Sequence, residues 1–247
     1  WLLLAQAMMV ATGLLLALSG GDTAALGRLV LLHNVFVGLQ DVAIDALAVG
    51  LGVDSYEFRR RNITDERWLG VLDAAAKAAN WAPRLAPAGV SDGGIVRGRG
   101  IGLGTHLSSW GGAVAEVEVD RESGRVRVKH LYGAIDAGLV VNPGNVEAQI
   151  TGQLVQTASR MLYEEVTFNE RGVTSLDWAS YRIMRFADCP AITAVIVQRV
   201  NEKYSGAGEE VMAAAAAAIA NAFFDATGTR MHEFPFTPPR VLAALAA

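Results

Sequence analysis

Residues Ser205 to Gly228, SGAGEEVMAAAAAAIANAFFDATG, constrain this chain more than any other stretch. Glycines at 206 and 208 permit a turn, and a close approach by a ligand, that side chains would obstruct. Two carboxylates, Glu209 and Glu210, follow at once and lead into a run of alanines. Alanine is the strongest helix former, so a helix is expected over Val211 to Ala226 despite its few bulky side chains. Gly228 supplies a left-handed stop, with Arg230 close to the negative end of the dipole. A carboxylate at a helix start has an ordinary use: it complements unpaired N–H groups and the dipole, worth ~0.3–1 kcal/mol. It is also a place where a reactive group is held rigidly. The residues alone favour the ordinary use.

Composition narrows the function classes. A net charge of -4 and a pI near 5.6 provide no basic face, so no nucleic-acid partner is expected. Cys189 is the single cysteine, which excludes an internal disulfide and a cysteine-rich metal or iron–sulfur site and points to a reducing compartment. The four histidines (His33, His106, His130, His232) show no metal-binding spacing, so no protein metal ligands are expected and any metal must bring its ligands from outside the polypeptide.

Trp1 to Gly21 carries no charge and is about as long as the ~20 apolar residues that cross a bilayer. No basic stretch precedes it, and a helix packed within the protein is the expectation, with a membrane tether as the alternative. Residues 1–32 are read as this apolar helical segment, 33–85 as a second helical segment and 86–247 as the carboxy-terminal domain. Asp41 and Asp45, one helical turn apart, read as a solvated helix edge, and Arg59, Arg60 and Arg61 as solvated charges. Thr64 or Asp65 caps a helix marked by Leu69, Leu72, Ala76 and Ala79. Pro83 to Gly100, rich in proline and glycine, reads as a linker.

Ala113–Asp120 and Arg125–Tyr132 alternate in polarity around RESG and predict a hairpin, with Glu116 and Glu118 facing Arg125, Arg127 and Lys129. His130 falls in this pattern and is read as packed or solvated. Asn142-Pro143-Gly144 forms a turn, and Val146, Ile150, Leu154 and Ala158 mark a helix carrying Gln149, Gln153 and Gln156. Gly152 in mid-helix costs about 1 kcal/mol relative to alanine, which hints at a close backbone or a ligand. Tyr163–Phe168 and Ile192–Val200 read as strands. The fold class expected is α+β, with mixed sheets and hairpins covered by helices.

Taken in order, DSYEFRRRN, GRGIGLGTH, AEVEVD, DAGLVVNPGNVEAQITGQ, YRIMR, Asp188 before Pro190, SGAGEE and NAFFDATGTR resemble the molybdopterin-binding subunit of the xanthine dehydrogenase family, nearest its aldehyde oxidase and isoquinoline 1-oxidoreductase branch. The resemblance covers roughly residues 50–240 and implies the fold of that subunit's carboxy-terminal domain. It implies hydroxylation of an aldehyde or N-heterocycle, with oxygen from water. The implied cofactor is molybdopterin, with its cytosine dinucleotide form included. Glu209 matches the family's general base. Gln149 and Gly152 match residues beside the pterin, and Gly206 and Gly208 of the loop are counted with them as cofactor-binding. Implied partners are the missing amino-terminal half of the molybdenum subunit, a 2Fe-2S electron-transfer subunit and the small-molecule substrate. A cytoplasmic location is expected, with periplasmic or membrane-associated placement as alternatives. An inactive scaffold that keeps the fold is the competing reading, because Leu31–Gly52 lacks the family's Arg-x-x-Gly loop.

Overall fold

The computed structural model describes residues 41–87, 89–92 and 94–246, so the apolar segment expected over 1–32 lies outside the described residues. Helix α1 runs over 41–50, followed by α2 (Ser55–Asn62) and α3 (Glu66–Ala78). Strands β1 (Val90–Asp92), β2 (Ile95–His106), β3 (Ser109–Asp120) and β4 (Val126–Asp136) come next, then α4 (Pro143–Leu162). A small hairpin, β5 (Phe168–Asn169) and β6 (Gly172–Val173), precedes β7 (Ala191–Ile196), α5 (Glu210–Thr227) and α6 (Pro238–Ala246). The main sheet has five strands in the order β1-β2-β3-β4-β7, antiparallel except where β7 pairs in parallel with β4. This is a mixed sheet with helices on both faces, an α+β fold.

Local sequence accounts for most of the ends. The Asp54 carboxylate accepts the N–H groups of Tyr56 and Glu57 at the head of α2, and Asp65 those of Arg67 and Trp68 at the head of α3. Asn142 caps α4 ahead of Pro143, and Gly228 stops α5 in the left-handed conformation with φ 76°. In the β3–β4 hairpin Asp120 accepts from the backbone of Glu122 and Ser123. Across its outer face Glu118 pairs with Arg97 at 3.0 Å and Lys129 at 3.5 Å. His130 stacks on Tyr132 and meets Thr193 Oγ1 at 2.9 Å, a packed residue as expected.

The stretch that reads as a linker, Pro83 to Gly100, instead carries β1 and the first half of β2. Gly98 and Gly100 within it, and Gly102 just beyond it, are packing residues. A Cβ on Gly98 would lie 2.3 Å from the Ala222 carbonyl oxygen, one on Gly100 2.2 Å from Ala222 N, and one on Gly102 2.3 Å from the Ala214 carbonyl oxygen. Two strand residues advance about 6.6 Å and four helix residues about 6.0 Å, so alternate glycines meet every fourth residue of α5. The alanine helix thus lies directly on a glycine strand, backbone against backbone. On β3, Gly111 meets Glu210 of α5 and Gly112 meets Val71 of α3, one on each face of the sheet.

Two cores result. One joins Leu131, Ile135, Ile150, Leu154, Ala218, Ile219 and Phe223 beneath α4 and α5; the other joins Val71, Leu72, Ile101 and Val114 beneath α3. The expected strand over Tyr163–Phe168 is only Phe168–Asn169, and that over Ile192–Val200 ends at Ile196. Asp41, Asp45 and Arg59 are corrections as well. All three are buried: Arg59 reaches Asp41 at 2.8 Å and Asp45 at 3.9 Å, and Arg230 reaches Asp45 at 2.6 Å. Burial pushes the Asp41 carboxyl above its ordinary range, against the opposing pull of Arg59.

Candidate functional site

Glu209 occupies the N-cap of α5 with φ -140° and ψ -9°, yet its side chain makes no capping hydrogen bond. Glu210, buried to 1 % exposure, turns back instead, and its Oε2 accepts the Glu209 N–H at 2.9 Å. Glu209 is thereby released from the ordinary use of a helix-start carboxylate. Its side chain is 55 % exposed, and Oε2 lies 3.3 Å from His106 Nε2.

The loop ahead of it is fixed from three sides. Ser109 Oγ donates to the Gly206 carbonyl at 2.6 Å, and Ser205 N donates to the Ala137 carbonyl at 2.9 Å. Gln153 Nε2 donates to the Ala207 carbonyl at 2.8 Å, while Gln153 Oε1 accepts Val211 N–H at 3.0 Å. Gln153 is 4 % exposed, so one amide joins α4 to both sides of the glutamate pair.

Gln149, by contrast, is exposed one turn before Gln153, with its Oε1 4.0 Å from where a Cβ on Gly208 would stand. Gly152 is exposed too, and a Cβ there would meet nothing within 4 Å. No neighbour in the described fold requires glycine at 152.

Two grooves meet at Gly208. One, about 630 Å³, is lined by Gln149, Gly152, Gln153, Gln156, Met184 and Gly208 among others. The other, about 520 Å³, is lined by His106, Gln156, Thr157, Arg160, Gly208, Glu209 and Met212 among others. Both have the size of small-molecule sites. Thr157 Oγ1 on the wall of the second is buried without a hydrogen-bond partner among the described residues. No group of three or more His, Cys, Asp or Glu among the described residues could hold a metal ion, and Cys189 is exposed. The residues brought together are therefore Gln149, Gly152 and Gly208 along one groove and Glu209 in the next, with Gly206 held behind the turn. His106, Gln153 and Arg160 joined them without being singled out in the sequence. A buried glutamine is invisible on a helix whose other glutamines are exposed, and His106 ends a strand whose first half reads as a linker.

Comparisons with known proteins identify the family and the fold. The molybdopterin cofactor-binding domain pattern matches residues 42–190. The second subunit of nicotinate dehydrogenase from Pseudomonas putida is 41% identical over 211 residues, covering 82% of this chain and 18% of that protein. The beta chain of isoquinoline 1-oxidoreductase from Brevundimonas diminuta is 27% identical, covering 81% of this chain and 25% of its own length. The chain thus spans about a quarter or less of these two relatives. Aldehyde oxidoreductase of Desulfovibrio gigas superposes with a TM-score of 0.67 at 15% identity, over 87% of this chain and 41% of that one, a likeness of fold. No helix among the described residues is long and apolar enough to cross a membrane. The chain belongs to the molybdopterin cofactor-binding domain family and corresponds to part of a molybdenum-binding subunit of the xanthine dehydrogenase type.

Proposed function

We propose that this chain forms the base-bearing wall of a molybdenum hydroxylase, with Glu209 as general base and the Gln149–Gly152 groove as part of the molybdopterin site. The observation that carries the reading is the placement of Glu209: a carboxylate that caps nothing, on a turn held from three sides, lining one open groove next to Gly208, where the second groove begins. Gly152 supports the cofactor half. It costs helix stability and serves no packing contact in the described fold, so the space above it is suited to a group from outside.

The Gln149 amide can donate and accept along the edge of a pterin, whose ring nitrogens and carbonyl alternate in the same way. Gly208 lets that ring approach the backbone, and Gly206 lets the turn close behind it. When bound, the molybdenum cofactor would supply the two-electron acceptor. The protein's share is to hold the substrate carbon in the adjoining groove and to take one proton at a Glu209 oxygen. Gln153 and Glu210 keep that oxygen in place by fixing the backbone on either side of it.

The two relatives carry nicotinate and isoquinoline in their names, both aromatic N-heterocycles, and a substrate of that class is proposed here ahead of an aldehyde. The remainder of the molybdenum subunit and a 2Fe-2S electron-transfer subunit are the proposed partners. The test is to co-express the chain with the rest of a molybdenum subunit, then measure molybdenum content and dye-linked oxidation of nicotinate, isoquinoline and an aldehyde. Glu209→Gln is expected to retain molybdenum and to lose 10²–10⁴-fold in kcat, the usual contribution of a general base. Full turnover in that variant would reject Glu209 as base, and a folded complex without molybdenum would favour a scaffold.

A further inference from the structure

We propose that His106 is the positioning residue of Glu209: its ring holds one carboxylate oxygen so that the other is presented for proton transfer. The inference rests on Glu209 being the base. His106 ends β2 and Glu209 precedes the first turn of α5, so the backbone contact made by Gly102 and Gly104 carries the two side chains to the same spot. Nε2 and Oε2 stand 3.3 Å apart, with the side chains 31 % and 55 % exposed. Neither makes a side-chain hydrogen bond or a further ion pair among the described residues, so the contact is not borrowed from a larger network.

A carboxylate on an exposed turn has two free torsions beyond Cβ and would otherwise sample many orientations. The 3.3 Å contact becomes a hydrogen bond when a hydrogen on Nε2 is aimed at Oε2, which leaves Oε1 with its lone pairs available. Strand β2 is the rigid support. Its end is closed by Thr105 Oγ1 donating to the Ser109 carbonyl at 2.6 Å, and Ser109 in turn holds the Gly206 carbonyl. One short turn therefore anchors both the glutamate's loop and the ring that orients the glutamate.

Two measurements test this, and the first needs no cofactor. In the 247-residue chain, ring carbon relaxation should show His106 as rigid as the backbone in the wild type and mobile in Glu209→Ala, with His130 unchanged in both. Equal mobility of His106 in the two proteins overturns the proposal. In the complemented subunit, His106→Phe should lower kcat roughly 10–100-fold with KM within about twofold, and His106→Gln, whose amide can reach Oε2, should recover to within about threefold of wild type. Equal losses in the two variants, or an effect confined to KM, would also overturn it. Glu209→Gln separates the two ideas. If that variant is fully active the base reading falls, whatever the ring does; if it is inactive while the ring is indifferent to residue 209, the base stands and His106 has no part in it.

Discussion

At the scale of the residue, the site depends on a division of labour between two adjacent carboxylates. Glu210 is buried and satisfies the backbone; Glu209 is exposed and unused by the fold. The sequence offers them as a pair and does not say which is which. Gln153 shows the same ambiguity among three glutamines on one helix. Because its amide serves both the Ala207 carbonyl and the Val211 N–H, replacing it strands one buried and one part-buried polar group. Gln153→Leu is expected to destabilise the protein by about 1–3 kcal/mol, read as a lower urea midpoint, and Gln149→Leu by far less because Gln149 is exposed. Equal losses in the two would show that the loop is not held by Gln153. Gln149→Leu should instead lower the molybdenum retained by the complemented subunit.

At the scale of the element, helix α5 and strand β2 form one unit, and the glycines that disguise the strand are what make the unit possible. Strand recognition relies on β-branched and aromatic side chains, which GRGIGLG almost wholly lacks. The missing side chains are replaced by the backbone of α5, a partner more than a hundred positions later in the chain, and no local pattern encodes that. The hairpin β3–β4 and helix α4 were legible for the opposite reason: their alternation and four-residue period are local. Glycine therefore has two meanings here, and substitution distinguishes them. Gly100→Ala places a Cβ 2.2 Å from Ala222 N and should cost at least about 1–3 kcal/mol through forced separation of helix and strand. Gly152→Ala meets nothing and should stabilise α4 by about 0.4–1 kcal/mol while reducing molybdenum retention. Thermal unfolding of both variants reads the opposite signs; a destabilised Gly152→Ala would refute the open groove.

At the scale of the whole molecule, buried ion pairs join segments far apart in the chain. Asp136 at the end of β4 is fully buried and pairs with Arg67 of α3 and, at 3.0 Å, with Arg199 beyond β7. Burial opposes its ionisation, but hydrogen bonds from Arg67, the Gly138 N–H and Arg199 outweigh it and hold the carboxyl below the ordinary range. A carboxyl depressed in the folded state adds stability above its unfolded pKa, and that stability is lost as the pH falls through the folded value. Asp136→Asn should therefore be destabilising by about 3–5 kcal/mol at neutral pH, with the gap to wild type closing below about pH 3.9, the unfolded aspartate value. A gap independent of pH would show that the penalty is steric. Asp41 works in the other direction, since its raised carboxyl weakens the fold as it ionises. Neither aspartate is distinguishable from a surface residue in sequence, because burial is a property of what covers a side chain. By itself the sequence determined the helix after Glu209 and its stop, the hairpin and the α4 period, all of which depend on neighbours a few residues away. Tertiary structure decided which glutamate is free, which glutamine is tied, that a glycine run is a central strand and that His106 meets Glu209, because each of these is settled by contacts between distant segments whose backbones must first be brought together.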